Sequence, residues 1–332
     1  MPLIPTRRRF MTTMALTGAA GFFPDPVPRA LAANRELETT SIRLAKIPVI
    51  CFAPQYVCDP LLRAEGFTDI NYVDTTPAGL SEDLARGKFD FASNLSLDSI
   101  TAIDAGVPIT ILTGVHAGCY ELFAHGDIRS IADLKGKSVG MLGTTSLVAT
   151  LAAYVGLNPA KDLAMINDPA AKPLEQFIEG KLDAYLAFPP APQELHARKV
   201  GNVILRTATD RPWSQYFCCT MAGNREFVAR YPAATKRVVR AFLKAADLCV
   251  SAPEQAARLI VEGGFTQSYD YALQTLTENP YNAWREFDAE DSIRFYALRM
   301  HELALIKSSP QRIIANGTDW RFLDEVKREL KA

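Results

Sequence analysis

One short pattern occurs twice, and it restricts the architecture more than any other feature. Leu84-Ala85-Arg86-Gly87-Lys88-Phe89-Asp90-Phe91-Ala92 is echoed by Phe177-Ile178-Glu179-Gly180-Lys181-Leu182-Asp183-Ala184-Tyr185. In each copy a helical pattern stops at glycine, and Lys-apolar-Asp then feeds a short apolar run. Glycine accepts the left-handed backbone that ends a helix. Short apolar runs bounded by turns read as buried strands. Both copies fall at the same place in a strand–helix–strand series. The expected fold class is therefore α/β, with two similar lobes, each a sheet flanked by helices.

Between the copies lies Asp133-Leu134-Lys135-Gly136-Lys137-Ser138-Val139-Gly140-Met141-Leu142-Gly143-Thr144-Thr145-Ser146. It reads as turn, strand, tight loop and helix start. Gly143 permits the sharp turn. Thr144, Thr145 and Ser146 offer hydroxyls and free backbone N–H groups where a helix begins. A helix start carries partial positive charge and suits an anion or a carbonyl oxygen. A capped helix without any ligand would use the same residues. Gly136-Lys137-Ser138 is not a phosphate loop. That motif needs a glycine where Ile131 stands, and its lysine belongs at a helix start rather than before a strand.

The remaining pattern follows the same alternation. Strands are expected at residues 42–47, 69–73, 89–92, 109–115 and 120–124, with helices at 55–64, 77–86 and 97–105. The series restarts with strands at 139–142, 164–166 and 184–188 and helices at 147–155 and 171–178. A strand at 216–222 could return to the first lobe. Beyond Arg225 the chain is mostly helical, with amphipathic segments at 233–250, 253–262, 269–276, 289–305 and 320–330. Asn316-Gly317 reads as a turn.

The chain has 332 residues, 48% of them hydrophobic and 22% charged, enough for one or two domains with real cores. A net charge of −1 gives no reason to expect a nucleic-acid partner. The first residues are not expected to join the fold. Thr6-Arg7-Arg8-Arg9-Phe10, a mild apolar run over 14–23 and the small residues Ala30-Leu31-Ala32 resemble a twin-arginine export signal at 1–32. The run is too short and too rich in Gly and Thr for a membrane span. Cleavage after Ala32 removes four arginines and one aspartate and leaves a charge of −4.

Six cysteines (51, 58, 119, 218, 219, 249) are too few for a disulfide scaffold at this length. Most are read as small buried apolar residues. His116 and Cys119 are the only imidazole and thiol close together in sequence. A nucleophile there would also need an orienting partner and an oxyanion hole, and no spacing supplies them. The four histidines show no paired spacing and there is no Cys-x-x-Cys, so the sequence offers no metal or cofactor motif.

Two α/β lobes invite a ligand cleft between them, lined by strand-end loops. Those loops fall at 52–56, 93–96, 116–120, 143–146, 188–190 and 213–216. The candidate ligand-binding residues are Pro54, Gln55, Ser93, Asn94, His116, Cys119, Tyr120, Thr144, Thr145, Ser146, Phe188 and Trp213. Phe52, Phe188 and Trp213 could equally be core, and Gln55 and Asn94 could serve only their own loops. The set is rich in aromatics, amides and hydroxyls and nearly devoid of Lys and Arg. Such a lining suits a small flat or apolar ligand with a few polar atoms.

Taken together, these residues resemble a known family. Gly87-Lys88-Phe89-Asp90, the Asp133 to Ser146 stretch, Gly180-Lys181-Leu182-Asp183-Ala184 with Pro189, and Tyr231-Pro232 leading to Val238-Val239-Arg240-Ala241-Phe242-Leu243 occur in family order. They are similar to solute-binding proteins of the nitrate/taurine/sulfonate class of ABC importers, the SsuA/THI5-like and NMT1-like family. The resemblance implies a two-lobed type II periplasmic-binding-protein fold. Lobe 1 would be 41–124 plus 222–332 and lobe 2 would be 125–221, joined by crossovers near Ala124 and Cys219. It implies a periplasmic monomer, not an enzyme, that closes on a small molecule and delivers it to an inner-membrane ABC permease. The expected ligand is a small organic molecule: a sulfonate, a carboxylate held by helix N–H groups or a heteroaromatic such as a pyrimidine. No basic residue stands where a sulfonate or nitrate would need one, which disfavours an inorganic anion. A pyrimidine-synthase relative on the same fold would want a reactive histidine and a cysteine-rich cluster, which His116 and Cys218-Cys219 echo in part. A sensor partner of a membrane receptor is the other alternative.

Overall fold

The computed structural model describes residues 36–331 apart from Thr144. The export signal read at 1–32 and the helix-start hydroxyl of Thr144 lie outside the described residues.

The chain opens with β1 (Ser41–Lys46), α1 (Ala53–Val57), α2 (Asp59–Ala64), β2 (Asp69–Asp74), α3 (Leu80–Ala85), β3 (Phe91–Leu95), α4 (Ser96–Asp104) and β4 (Ile109–Ala117). The second series is β5 (Glu121–Ala124), β6 (Lys137–Met141), α5 (Ser146–Tyr154), α6 (Pro159–Asp162), β7 (Leu163–Ile166), α7 (Pro173–Ile178), β8 (Ala184–Ala187), α8 (Ala191–Arg198) and β9 (Asn202–Arg206). The chain then returns through β10 (Phe217–Asn224) to a helical end. That end comprises α9 (Arg225–Arg230), α10 (Pro232–Ser251), α11 (Pro253–Glu262), α12 (Tyr269–Glu278), α13 (Ala289–Glu302), α14 (Pro310–Gly317) and α15 (Arg321–Leu330). Among the described residues no helix is long and apolar enough to cross a membrane.

Two five-stranded sheets result, ordered β2-β1-β3-β10-β4 and β7-β6-β8-β5-β9. Their plans match. In the first, β1 runs parallel to β2 and β3, and β10 is antiparallel to β3 and β4. In the second, β6 runs parallel to β7 and β8, and β5 is antiparallel to β8 and β9. Each sheet thus receives its antiparallel strand from a segment that has just crossed over from the other.

The repeated sequence pattern has a physical cause. Gly87 and Gly180 end their helices at φ +70° and +72°, a backbone region that disfavours side chains. Three residues on, each aspartate hooks the neighbouring parallel strand. Asp90 accepts from the Arg43 N–H at 2.7 Å and from its guanidinium at 2.6 Å. Asp183 accepts from the Ser138 N–H at 2.8 Å and its hydroxyl at 2.7 Å. Both hooks satisfy a backbone donor at the start of a strand pairing.

The lobe boundaries differ from those read in the sequence. β5 pairs inside the second sheet, Glu121 to Ala124 against Ala187 to Ala184, so the first crossover lies at 118–120 rather than near 124. β10 already belongs to the first sheet at Phe217, not from 222. A short apolar run reads alike in either sheet, and only its distant partner decides. Gly118 makes the crossover possible. At φ +64° it lies against the Ala208 backbone, where a Cβ would meet atoms at 2.3 Å. The Thr207 hydroxyl then accepts from the N–H groups of Cys119 and Tyr120.

Other differences are local. The helix expected over 55–64 is two, α1 and α2, separated at Cys58 just ahead of Pro60. α8, the edge strand β9 and α14 were not anticipated. Asn316-Gly317 is the last turn of α14, not a free turn, and Gly317 is small because Ile103 packs against it. α10 fills the centre of the first lobe, burying Val238, Val239, Phe242 and Leu243. Each such side chain contributes roughly 1.5–3 kcal/mol through burial.

Candidate functional site

A cavity of about 40 Å³ lies between the lobes. Phe52, Asn94, Asp98 and Cys219 line it from the first lobe, Gly143 and Phe188 from the second, and Tyr120 from the first crossover. α5 packs on α4 and α13 across the gap, and α8 packs on α12. Sites for organic ligands are typically ~300–1,000 Å³. The space here, about 40 Å³, is well below that range.

The lining has the character expected from the strand-end loops. Among the described residues that line it there is no Lys or Arg, and the only carboxylate is Asp98, in the first turn of α4. Tyr120 meets Phe188 edge to face, with ring centroids 5.8 Å apart. Burial, then the nearby thiols and Asp98, push the Tyr120 hydroxyl well above its ordinary pKa, so it serves as a neutral donor. The Asn94 amide is held in place by the Ser81 hydroxyl at 3.0 Å and the Leu95 N–H at 2.8 Å.

The structure divides the sequence candidates. Asn94, Tyr120 and Phe188 face the cavity. The Gly143 turn also reaches it, and Asn167 holds that turn through the Gly143 carbonyl; Thr145 and Ser146, which follow the turn, are not among the lining residues. The Thr145 hydroxyl does not cap α5. Gln55 is buried and fully used elsewhere: its amide donates to Ala45 O at 2.7 Å and accepts from Ser93 N at 2.5 Å. It clamps β1 to β3 rather than lining the cleft. Pro54 and Ser93 are buried beside it. Trp213 is core, packed edge to face on Tyr154 and Phe295. Asp98 was missed. It lies two residues past the Ser93 to Ser96 loop, and extending the strand-end rule into the first helical turn would have found it.

A second cavity of about 300 Å³, also between the lobes, opens on the other side of the crossover, between α8 and α12. Glu121 is engaged there by His196 at 2.7 Å and Arg206 at 3.1 Å. Cys119 borders this space rather than the smaller cavity at Phe188.

Behind the cleft floor lies a cluster of thiols. All six cysteines are buried and free. The sulfurs of Cys51, Cys119 and Cys219 and a ring nitrogen of His116 all lie within 4.8 Å of one another. Cys218 adjoins the group, 3.7 Å from Cys119 and 3.5 Å from His116 Nδ1. Burial raises the Cys51 and Cys119 thiols. At Cys219, burial is outweighed by the neighbouring side chains, chiefly Cys119, and the thiol is lowered.

Solved structures share this architecture. The alkanesulfonate-binding protein SsuA from Xanthomonas axonopodis pv. citri, bound to MOPS, is 18% identical with a TM-score of 0.69, covering 86% of this chain and 100% of that one. The periplasmic nitrate-binding protein NrtA from Synechocystis PCC 6803 is 15% identical with a TM-score of 0.76, covering 90% of each chain. The periplasmic aliphatic sulphonate binding protein SsuA from Escherichia coli is 20% identical with a TM-score of 0.67, covering 83% and 92%. No curated protein matches the sequence. The fold, two mixed sheets flanked by helices around a cleft, is the type II periplasmic-binding-protein fold of these solute-binding structures. The family described as NMT1/THI5 like matches residues 66–256, more than half of the chain, and the chain belongs to it.

Proposed function

We propose that this protein is the exported solute-binding component of an ABC importer, and that it captures a neutral or cationic flat organic molecule by lobe closure. Family membership and the fold support the carrier role. The twin-arginine signal read at residues 1–32 supports a periplasmic location, and an inner-membrane permease is the partner such a carrier requires. The observation that carries the ligand class is the cleft lining, which holds Asp98, Tyr120, Phe188 and Phe52 and no Lys or Arg. An anion buried there would have no cationic partner, and burying an unpaired charge is costly. A ring would stack on the aromatic pair, and Asp98 would favour a ring nitrogen or amine that carries a proton.

A thermal-shift panel of pyrimidines, heteroaromatic amines, aromatic carboxylates and sulfonates tests this reading. A ligand at a hundred times its Kd adds ~2.7 kcal/mol to stability. The expected result is a raised midpoint with one of the nitrogen heterocycles and none with the sulfonates. A midpoint moved only by sulfonates overturns the ligand class, and a midpoint moved by nothing in the panel removes the proposal. Conversion of a bound heterocycle to product by the purified protein would favour an enzyme instead.

A further inference from the structure

We infer that Cys51, His116, Cys119 and Cys219 form a closed, four-coordinate site for one thiophilic ion of the zinc type, built into the hinge. The four donors come from four places in the fold. Cys51 lies in the loop after β1, His116 near the end of β4, Cys119 in the first crossover and Cys219 in β10. β4 and β10 are hydrogen-bonded neighbours, with Cys219 paired to His116. The loop after β1 closes the set from the cleft side.

The geometry suits a tetrahedral ion. Zinc–sulfur bonds of about 2.3 Å place tetrahedral sulfurs roughly 3.8 Å apart. The four donor atoms already lie within 4.8 Å of one another, so side-chain shifts of about an ångström would complete the shell. All four residues are buried, which matches a structural site rather than an open catalytic one.

The histidine supplies an independent sign. His116 is fully buried, and its Nδ1 lies 2.7 Å from the Gly118 carbonyl. A carbonyl accepts only, so Nδ1 carries the proton and Nε2 is the nitrogen with a lone pair. Nε2 has no hydrogen-bond partner. A buried ring nitrogen left unpaired is costly, and a metal ion satisfies it. A backbone carbonyl that orients the second nitrogen is the usual support for a ligating imidazole.

Binding releases the thiol protons. Three thiolates and a neutral imidazole take one divalent ion, and three protons leave to solvent if all three thiols begin protonated. Cys51 and Cys219 also line the interlobe cavity, so an ion held by this set would tie the cleft floor to the first crossover. This goes beyond the solute-binding proposal, because metal loading can be measured with no solute present.

The test uses the full chain, reduced and stripped of metal. Titration with Co²⁺ should give sulfur-to-cobalt charge-transfer bands and tetrahedral ligand-field bands that saturate at one ion per chain. Zn²⁺ should then displace Co²⁺ and raise the thermal midpoint. Cys51→Ser, Cys119→Ser, Cys219→Ser and His116→Ala should each weaken binding at least tenfold, whereas Cys249→Ala should not. Because buried variants can fail to fold, the wild-type cobalt spectrum stands as a separate criterion. Absence of thiolate–cobalt bands in folded wild-type protein overturns the inference. So does a folded Cys119→Ser or His116→Ala variant with an unchanged spectrum, or peptide mapping that finds Cys119 and Cys218 disulfide-bonded in exported protein.

Discussion

Asp90 and Asp183 occupy equivalent places in the two lobes, yet solvent treats them differently. The Asp90 side chain is 4% exposed and grips both the backbone and the guanidinium of Arg43. The Asp183 side chain is 39% exposed, bonded to Ser138, with Lys137 at 3.7 Å. The shared part is the hook on a strand N–H, and the pattern repeats in the sequence because both lobes need it. What differs is how much water can replace the hook when it is lost. Identical motifs therefore record identical backbone duties without equal energetic weight.

The largest expected effect follows from that difference. Asp90→Ala should lower unfolding free energy by about 3 kcal/mol, because a buried strand N–H and a charged partner lose their acceptor. Asp183→Ala should cost about 1 kcal/mol, since water reaches the vacated site. Urea unfolding of both variants measures this, and equal losses would break the comparison.

Gln55 extends the contrast from hook to cleft. Gln55→Ala should cost about 2 kcal/mol by leaving Ala45 O and Ser93 N without a side-chain partner. It should leave the affinity of any compound that stabilises the protein nearly unchanged. Tyr120→Ala and Phe188→Ala should do the reverse, with an affinity loss of about tenfold and little change in denaturation midpoint. Calorimetric titration beside urea unfolding separates the two classes.

The two helix-ending glycines should behave alike where the aspartates do not. Gly87→Ala and Gly180→Ala each force a side chain into left-handed backbone, at a cost of about 1 kcal/mol. Neither meets a close neighbour, so the two losses should agree.

The smallest expected effect concerns acid. Burial raises the Asp183 carboxyl, but its bonds to Ser138 and the charge of Lys137 outweigh burial and hold it below the ordinary range. Glu65 is likewise held low, because Arg240 and Lys244 outweigh its burial. A carboxylate depressed by folding stabilises the protein above its unfolded pKa, and that stability disappears as pH falls through the folded value. Stability should therefore decline below about pH 4, and Asp183→Asn should flatten part of that decline. An unchanged acid limb would show that Asp183 is not among the groups responsible.

The repeated strand–helix–strand plan was legible because glycine stops and apolar runs are local signals. The sheet that claims β5 was not, because Glu121 to Ala124 pairs with residues sixty or more positions away. α8 escaped notice because Ala191 to Arg198 carries little apolar periodicity. Within the site, Asn94, Tyr120 and Phe188 followed from the rule that strand-end loops face a cleft. Gln55 and Trp213 sit in similar loops but turn inward, and residue type alone cannot reveal that direction. The thiol–imidazole set was invisible as a motif, since its members run from Cys51 to Cys219 and meet only in the folded chain.

Small-angle X-ray scattering tests the two-lobed carrier most directly. The protein is measured alone and then saturated with the compound that stabilises it most in the thermal panel. Closure around the bound molecule predicts a smaller radius of gyration in the saturated sample. An unchanged radius, with binding confirmed by calorimetry on the same preparation, would contradict capture by moving lobes.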